Sequence, residues 1–258
     1  KSLLLFLLVI FLEISLIFCL TVIPAIILFG IAKSGLGGSV SLVSIPLMTI
    51  VMPLNHALAI LLPILIFSDF IAAYRFRREF DRETLNLIVP FAATGVIVGS
   101  FTFTLFSETF LKLLLGIMGI LFVGHYFLYR KVIATPAKPN FFKGAICSSI
   151  AGFTSFCAHS GGTPTSVYLL PLRLKKEIYV GTRIMFFTSI NIIKLPFYLY
   201  LSMVNFETLY QSIALFPLSL LGILIGYQLL KILEENLFYN IIYALIFLAS
   251  IKLILDFF

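Results

Sequence analysis

The chain has 258 residues, 61% of them hydrophobic and 11% charged, with a mean hydropathy of +1.14. Soluble domains run at roughly 45–50% apolar and 25% charged, so a water-soluble globule is excluded, and at about 20 residues per crossing the apolar content fills roughly eight or more membrane spans. The formal charge of +7 then matters by its placement and does not point to nucleic acid, while three cysteines without CxxC spacing say little about redox compartment.

Apolar runs closed by charge or turn residues predict ten segments, near 3–32, 39–54, 55–74, 85–106, 110–129, 141–158, 163–172, 178–202, 207–228 and 237–257. The first holds Glu13 and Pro24, and no small-residue cleavage site follows it, so a cleaved signal peptide accounts for it poorly. The segments after Gly38 and Gly162 are too short or too punctuated for plain spans and read as broken or re-entrant helices. If both re-enter, the crossings fall to about eight and the sides of the loops stay the same.

Loops 75–84, 130–140, 173–177 and 231–236 share one side and carry Arg75, Arg77, Arg78, Arg82, Arg130, Lys131, Lys138, Arg173, Lys175, Lys176 and Lys231. The opposite loops, near 107–109, 159–162 and 203–206, contain no Lys or Arg. The positive-inside rule makes the basic side cytoplasmic and places both termini outside.

The chain also repeats itself. Glu83-Thr84-Leu85 returns as Glu207-Thr208-Leu209, Gly95-xxx-Gly99 as Gly222-xxx-Gly226, and the spacing of Asn55 to Asp69 as that of Glu177 to Asn191, at offsets of 122 to 127. A glycine-rich break opens each half, at residues 30–39 and 152–163. Two five-segment halves follow, 3–129 and 141–257, and an odd number per half turns the second upside down in the membrane, the inverted repeat of many secondary transporters. The two Gly-xxx-Gly pairs read as close helix-packing surfaces without chemistry.

Irregular backbone survives at membrane depth only where it is buried in protein or lines a cavity, so both breaks are expected at one central site. In the first, Gly37 and Gly38 precede Ser39 as a helix cap, with Lys33 and Ser34 beside them. In the second, His159, Ser160, Gly161 and Gly162 precede Thr163, a good N-cap, with Pro164 at the first helical position. Two helix N-termini directed inward would favour an anion. Arg183 and Lys194 add positive charge inside the eighth segment, where an unpaired cation is costly. Asp69 is the clear carboxylate of the third segment, with Asn191 at its repeat-equivalent, and it either pairs with Lys194 or carries a proton. Lys33 and Arg183 have an alternative in snorkelling to the interface, and His159 in being a plain polar loop residue.

Gly30-xxxx-Gly35-x-Gly37-Gly38 with Pro46, then Gly152-Phe153, Gly161-Gly162-x-Pro164, Tyr168-Leu169-Leu170, Gly181-Thr182 and Asn191-x-x-Lys194-x-Pro196 resemble the sulfite exporter TauE/SafE family, also called the toluene sulfonate uptake permeases. The resemblance runs from about residue 25 to 255 and departs from the family's glycine pattern at His159-Ser160. It implies export or uptake of sulfite or small organosulfur anions across the bacterial inner membrane.

No HExxH or GxSxG occurs and the three His are scattered, so an enzyme is not expected, nor a metal or other cofactor. The expectation is therefore an all-α polytopic membrane protein that carries a small anion between two inverted repeats, with that anion and the lipid bilayer as partners, no nucleic acid, and oligomeric state left open. A carrier or channel for a different anion, such as a carboxylate, is the alternative.

Overall fold

The computed structural model describes residues 16–31, 33, 41–105, 107–129 and 137–255. The first half runs α1 (Leu16–Ile31), the short α2 (Ser41–Met48), α3 (Leu54–Arg75), α4 (Arg82–Thr102) and α5 (Glu108–Tyr129). The second runs α6 (Phe141–Ala158), the short α7 (Gly162–Leu169), α8 (Lys176–Tyr200), α9 (Phe206–Ile232) and α10 (Glu235–Leu255). Each expected segment contains a helix, and no strand occurs among the described residues. By length and apolarity α3, α4, α6, α8 and α9 qualify as membrane spans. Among the described residues five segments, and not all ten, therefore meet that measure.

Both short helices have eight residues. At 1.5 Å per residue each is about 12 Å long, well under the ~30 Å of a bilayer's hydrocarbon core. The expectation that these two segments are not plain spans is met in the described residues.

Polar caps start the long helices where the sequence leaves the apolar pattern. Asp81 accepts from the backbone N–H of Glu83 at 3.1 Å and from Thr84 Oγ1 at 2.7 Å, which opens α4. Asn205 and Thr208 form a reciprocal capping box at α9, with bonds of 3.0 and 2.9 Å. The repeated Glu-Thr-Leu is thus the first turn of a helix in both halves. At the far end of α9, Lys176 Nζ donates to the carbonyls of Leu230 and Leu233, both at 3.0 Å, which satisfies acceptors that a helix C-terminus leaves open.

The surface and interior exchange the roles they have in a soluble protein. Phe67, Phe70 and Tyr74 of α3, Ile97, Val98 and Phe101 of α4, and Leu221, Leu224 and Ile225 of α9 are exposed, while Asp69, Arg183, Asn191 and Lys194 are buried. An apolar coat over a polar centre suits a lipid surround.

The helices also pack in matched pairs. α1 lies against α9 and α6 against α4; α9 meets α3 and α4 meets α8; α1 meets α2 and α6 meets α7; α5 pairs with α10 and α3 with α8. Exchanging α1–α5 for α6–α10 in order leaves these pairings unchanged.

The correspondence reaches single atoms. A Cβ at Gly95 would strike the carbonyl O of Ser149 and crowd the N of Phe153, while one at Gly222 would strike the carbonyl O of Ile27 and crowd the N of Ile31. Gly152 meets the carbonyl O of Ala92, and Gly30 that of Ser219. Residues 27, 30 and 31 precede 149, 152 and 153 by 122, and residues 92 and 95 precede 219 and 222 by 127. Pro90 and Pro217 keep the second offset, each inside its helix.

One loop is locked to the site-bearing helix. A Cβ at Gly181 would strike the carbonyl O of Glu79, and the next residue, Thr182, accepts from the backbone N–H of Asp81 at 2.9 Å. The Gly181-Thr182 dipeptide is explained by this crossing of the 76–81 loop over α8.

Candidate functional site

Along α8, Tyr179, Arg183, Phe187, Asn191, Lys194 and Tyr198 follow one another at spacings of four, four, four, three and four. That period places all six on one face of the helix. All but Phe187 are buried. Opposite this stripe stand α3 with Asp69, the end of α6 and start of α7 with Ser155 to Ser166, and Lys33 just beyond α1.

Three polar clusters form there. Asp69 is fully buried, at 0% exposure, and both of its oxygens are used: Lys33 Nζ donates to Oδ1 at 2.5 Å and Asn191 Nδ2 to Oδ2 at 2.6 Å. The side chain of Lys33 is 11% exposed. It therefore turns inward and does not snorkel. The partner of Asp69 is Lys33 and not Lys194, a correction to one of the two readings of the carboxylate. Lys194 is held elsewhere, by acceptors on α6.

In that second cluster Lys194 Nζ reaches Ser155 O at 3.1 Å, Ser155 Oγ at 3.2 Å and His159 Nδ1 at 2.8 Å. His159 Nε2 lies 3.1 Å from the carbonyl of Leu58. A carbonyl only accepts, so Nε2 carries the hydrogen and Nδ1 is the acceptor for the ammonium: the imidazole is neutral. Tyr198 stacks on the ring at 5.9 Å and donates to Phe156 O at 2.7 Å. His159 also ends α6 at φ 46°. A left-handed position usually goes to glycine, and for another residue it costs on the order of 1–3 kcal/mol. Its bonds to α3 and α8 are what hold it in that conformation.

The third cluster centres on Arg183, 2% exposed. Its Nη1 donates to Ser166 Oγ at 2.5 Å and to Tyr179 Oη at 2.9 Å. The rings of Tyr179 and Phe187 lie 5.5 and 5.6 Å from Cζ, and Phe187 also faces Lys33 Nζ at 5.3 Å. The Nε and Nη2 groups are buried and have no hydrogen-bond partner among the described residues.

The α6–α7 junction departs from the expected capping. Gly161 precedes the helix with φ −63°, ψ −7°, and Gly162 is already helical. An N-cap residue needs extended backbone, so Thr163, inside the first turn, is not the cap. Pro164 accordingly sits third and not first, still within the turn whose N–H groups have no helical acceptor. The first such bond runs from the Thr165 N–H to Gly161 O at 3.2 Å. Thr163 Oγ1 is buried and has no partner among the described residues, whereas Ser160 Oγ donates to Ala158 O at 2.8 Å.

Of the expected site residues, Lys33, Asp69, His159 to Thr163, Arg183, Asn191 and Lys194 lie in or beside these clusters. Ser34, Gly37, Gly38 and Ser39 fall outside the described residues, and with them the expected meeting of the two glycine pairs. Tyr179, Tyr198 and Phe187 are not among the expected site residues, although the four-residue spacing on α8 carries a signal for them. Ser155 and Ser166 carry no such mark, because their contacts are made between helices. Among the described residues no group of three or more His, Cys, Asp or Glu is arranged to hold a metal ion.

The sequence model of the sulfite exporter TauE/SafE family matches residues 22–253. No curated protein and no solved structure matches the chain.

Proposed function

Because the chain belongs to the sulfite exporter TauE/SafE family, a family of membrane transporters, we propose that it is a secondary carrier of small sulfur oxyanions, sulfite or organosulfonates. Substrate binds among Lys33, Arg183, Lys194, Asn191, His159 and the α6–α7 junction, residues 160–163. The observation that carries this is one of charge. Three cations lie inside an apolar coat, and among the described residues the one carboxylate in contact with any of them is Asp69, on Lys33. A buried ion without a counter-ion costs several kcal/mol, and an anion at this place offsets that cost.

The carrier works by alternating access between halves 3–129 and 141–257, inverted relative to each other. The exchange of helix partners, and the equivalent glycine contacts at Gly95 and Gly222, support this arrangement. The basic loops lie in the cytoplasm and the chain is a multi-pass protein of the bacterial inner membrane, a reading that rests on the distribution of Lys and Arg.

Flux into proteoliposomes of radiolabelled sulfite, sulfate, thiosulfate, taurine and sulfoacetate tests the proposal. Saturable movement of a sulfur oxyanion is expected. Transport of carboxylates with none of the sulfur compounds refutes the sulfur assignment, and non-saturating flux refutes a carrier in favour of a channel.

Lys194→Met gives a second expected result. At an effective dielectric of about 20 and a separation of ~8 Å a unit charge contributes about 2 kcal/mol, so anion affinity falls roughly thirty-fold. The orphaned acceptors on Ser155 and His159 lower stability by about 1–3 kcal/mol, leaving the protein folded. Calorimetric titration with sulfite measures the first effect and thermal melting the second; unchanged affinity reduces Lys194 to a strut between α6 and α8.

A further inference from the structure

We propose that Arg183 is a bidentate clamp whose Nε–Nη2 edge grips two oxygens of the transported anion, which makes the site selective for oxyanions over anions without paired oxygens. The inference rests on the anion-carrier reading and deepens it.

One nitrogen of the guanidinium is fixed. Ser166 Oγ and Tyr179 Oη accept from Nη1, at 2.5 and 2.9 Å, and Cζ lies 5.5 and 5.6 Å from the ring centroids of Tyr179 and Phe187. The remaining edge, Nε and Nη2, is buried and has no partner among the described residues. Buried donors are almost always satisfied, and an unsatisfied charged one is the costliest kind. Nε–H and one hydrogen of Nη2 point the same way, the parallel pair that matches two oxygens of a carboxylate, phosphate or sulfur oxyanion. A fold that needed only a positive charge here would have no reason to fix the fork and leave that edge open.

A second buried donor stands nearby. Thr163 lies three residues before Ser166, on the same face of α7, and its Oγ1 is likewise unpartnered. Ser166 joins that turn to the arginine, since its hydroxyl accepts from Nη1 and donates to Gly162 O at 2.8 Å. A third oxygen, which sulfite and sulfonates possess and carboxylates lack, falls to this turn.

The test is calorimetric titration of purified protein with sodium sulfite, comparing wild type with Arg183→Lys, which keeps the charge and loses the fork. The clamp requires at least a tenfold weaker sulfite affinity in Arg183→Lys, about 1.4 kcal/mol, with the melting temperature of the unliganded protein within a few degrees of wild type. A smaller loss shows that charge alone suffices and overturns the clamp. Tyr179→Phe, which leaves Arg183 in place, provides an independent arm should the lysine variant not fold. Loosening Nη1 is expected to weaken sulfite at least threefold in the wild-type background and, where the lysine variant folds, not further in Arg183→Lys. An unchanged affinity in Tyr179→Phe, or the same loss in both backgrounds, also overturns the proposal. Wild-type protein that binds no sulfur oxyanion refutes the transport reading itself; wild-type binding matched by the lysine variant refutes only the clamp.

Discussion

Asp69→Leu is expected to lower the melting temperature of the purified protein by about 10 °C or more, and Lys33→Met combined with it is expected to restore most of that loss. The single change strips a fully buried carboxylate from Lys33 Nζ and Asn191 Nδ2, which it holds at 2.5 and 2.6 Å. Breaking a buried pair from one side costs about 3–5 kcal/mol, because it leaves the other charge uncompensated, whereas replacing both partners by apolar groups of like volume is often neutral. At roughly 2–4 °C per kcal/mol for a chain of this size, the single variant loses on the order of 10 °C. Melting curves of the two variants decide the matter. A double variant as unstable as the single one means that Asp69 acts through something other than its pairing with Lys33. On the transport reading the restored double variant still fails to carry anions, since Lys33 belongs to the site.

The other large effect belongs to glycine. Gly152→Val should yield little folded protein, and Gly152→Ala should already cost at or above the ~1–3 kcal/mol typical of overpacking. The added Cβ runs into the carbonyl O of Ala92, with the carbonyl carbon at 2.8 Å and the Cα at 3.0 Å. All three are backbone atoms, so no rotamer change relieves the clash and α6 must move off α4. Gly222→Ala meets the carbonyl of Ile27 on α1 in the same way and should cost a similar amount. Gly124, in α5, has nothing within 4 Å of its would-be Cβ, and Gly124→Ala should raise stability by about 0.5–1 kcal/mol through helix propensity alone. Thermal melting of the three alanine variants separates close packing from a general intolerance of side chains; equal behaviour of Gly152→Ala and Gly124→Ala counts against the packing account.

Much of the fold was legible because its causes are local. Apolar runs bounded by Arg75, Arg82 or Lys231 marked helix positions to within a few residues, and Glu-Thr-Leu stands in the first turn of two helices, each capped by the residue two before it. The stripe on α8 was equally local, being a matter of four-residue spacing. The site's wiring was not. Lys33 and Asp69 are 36 residues apart and Lys194 and Ser155 are 39 apart, and no periodicity on one helix reveals which residue of another it will face. Thr163 misled for a definite reason. Ser/Thr after a glycine pair signals an N-cap only if the chain arrives extended, and here Gly161 is already turned into the helical region.

The bond between Asp69 and Asn191 has a consequence for descent. These positions are 122 residues apart, the offset that relates α1 to α6, so in the two-repeat reading each half touches its own counterpart there. Two identical half-chains assembled as a homodimer would confront like with like. Two aspartates would set carboxylates against each other, and two asparagines would leave Lys33 without an anion. Fusing the halves into one chain lets the two positions differ. On that reading the two halves differ where equivalent positions meet, at Asp69 and Asn191, while Gly95 and Gly222, which approach non-equivalent neighbours, are the same.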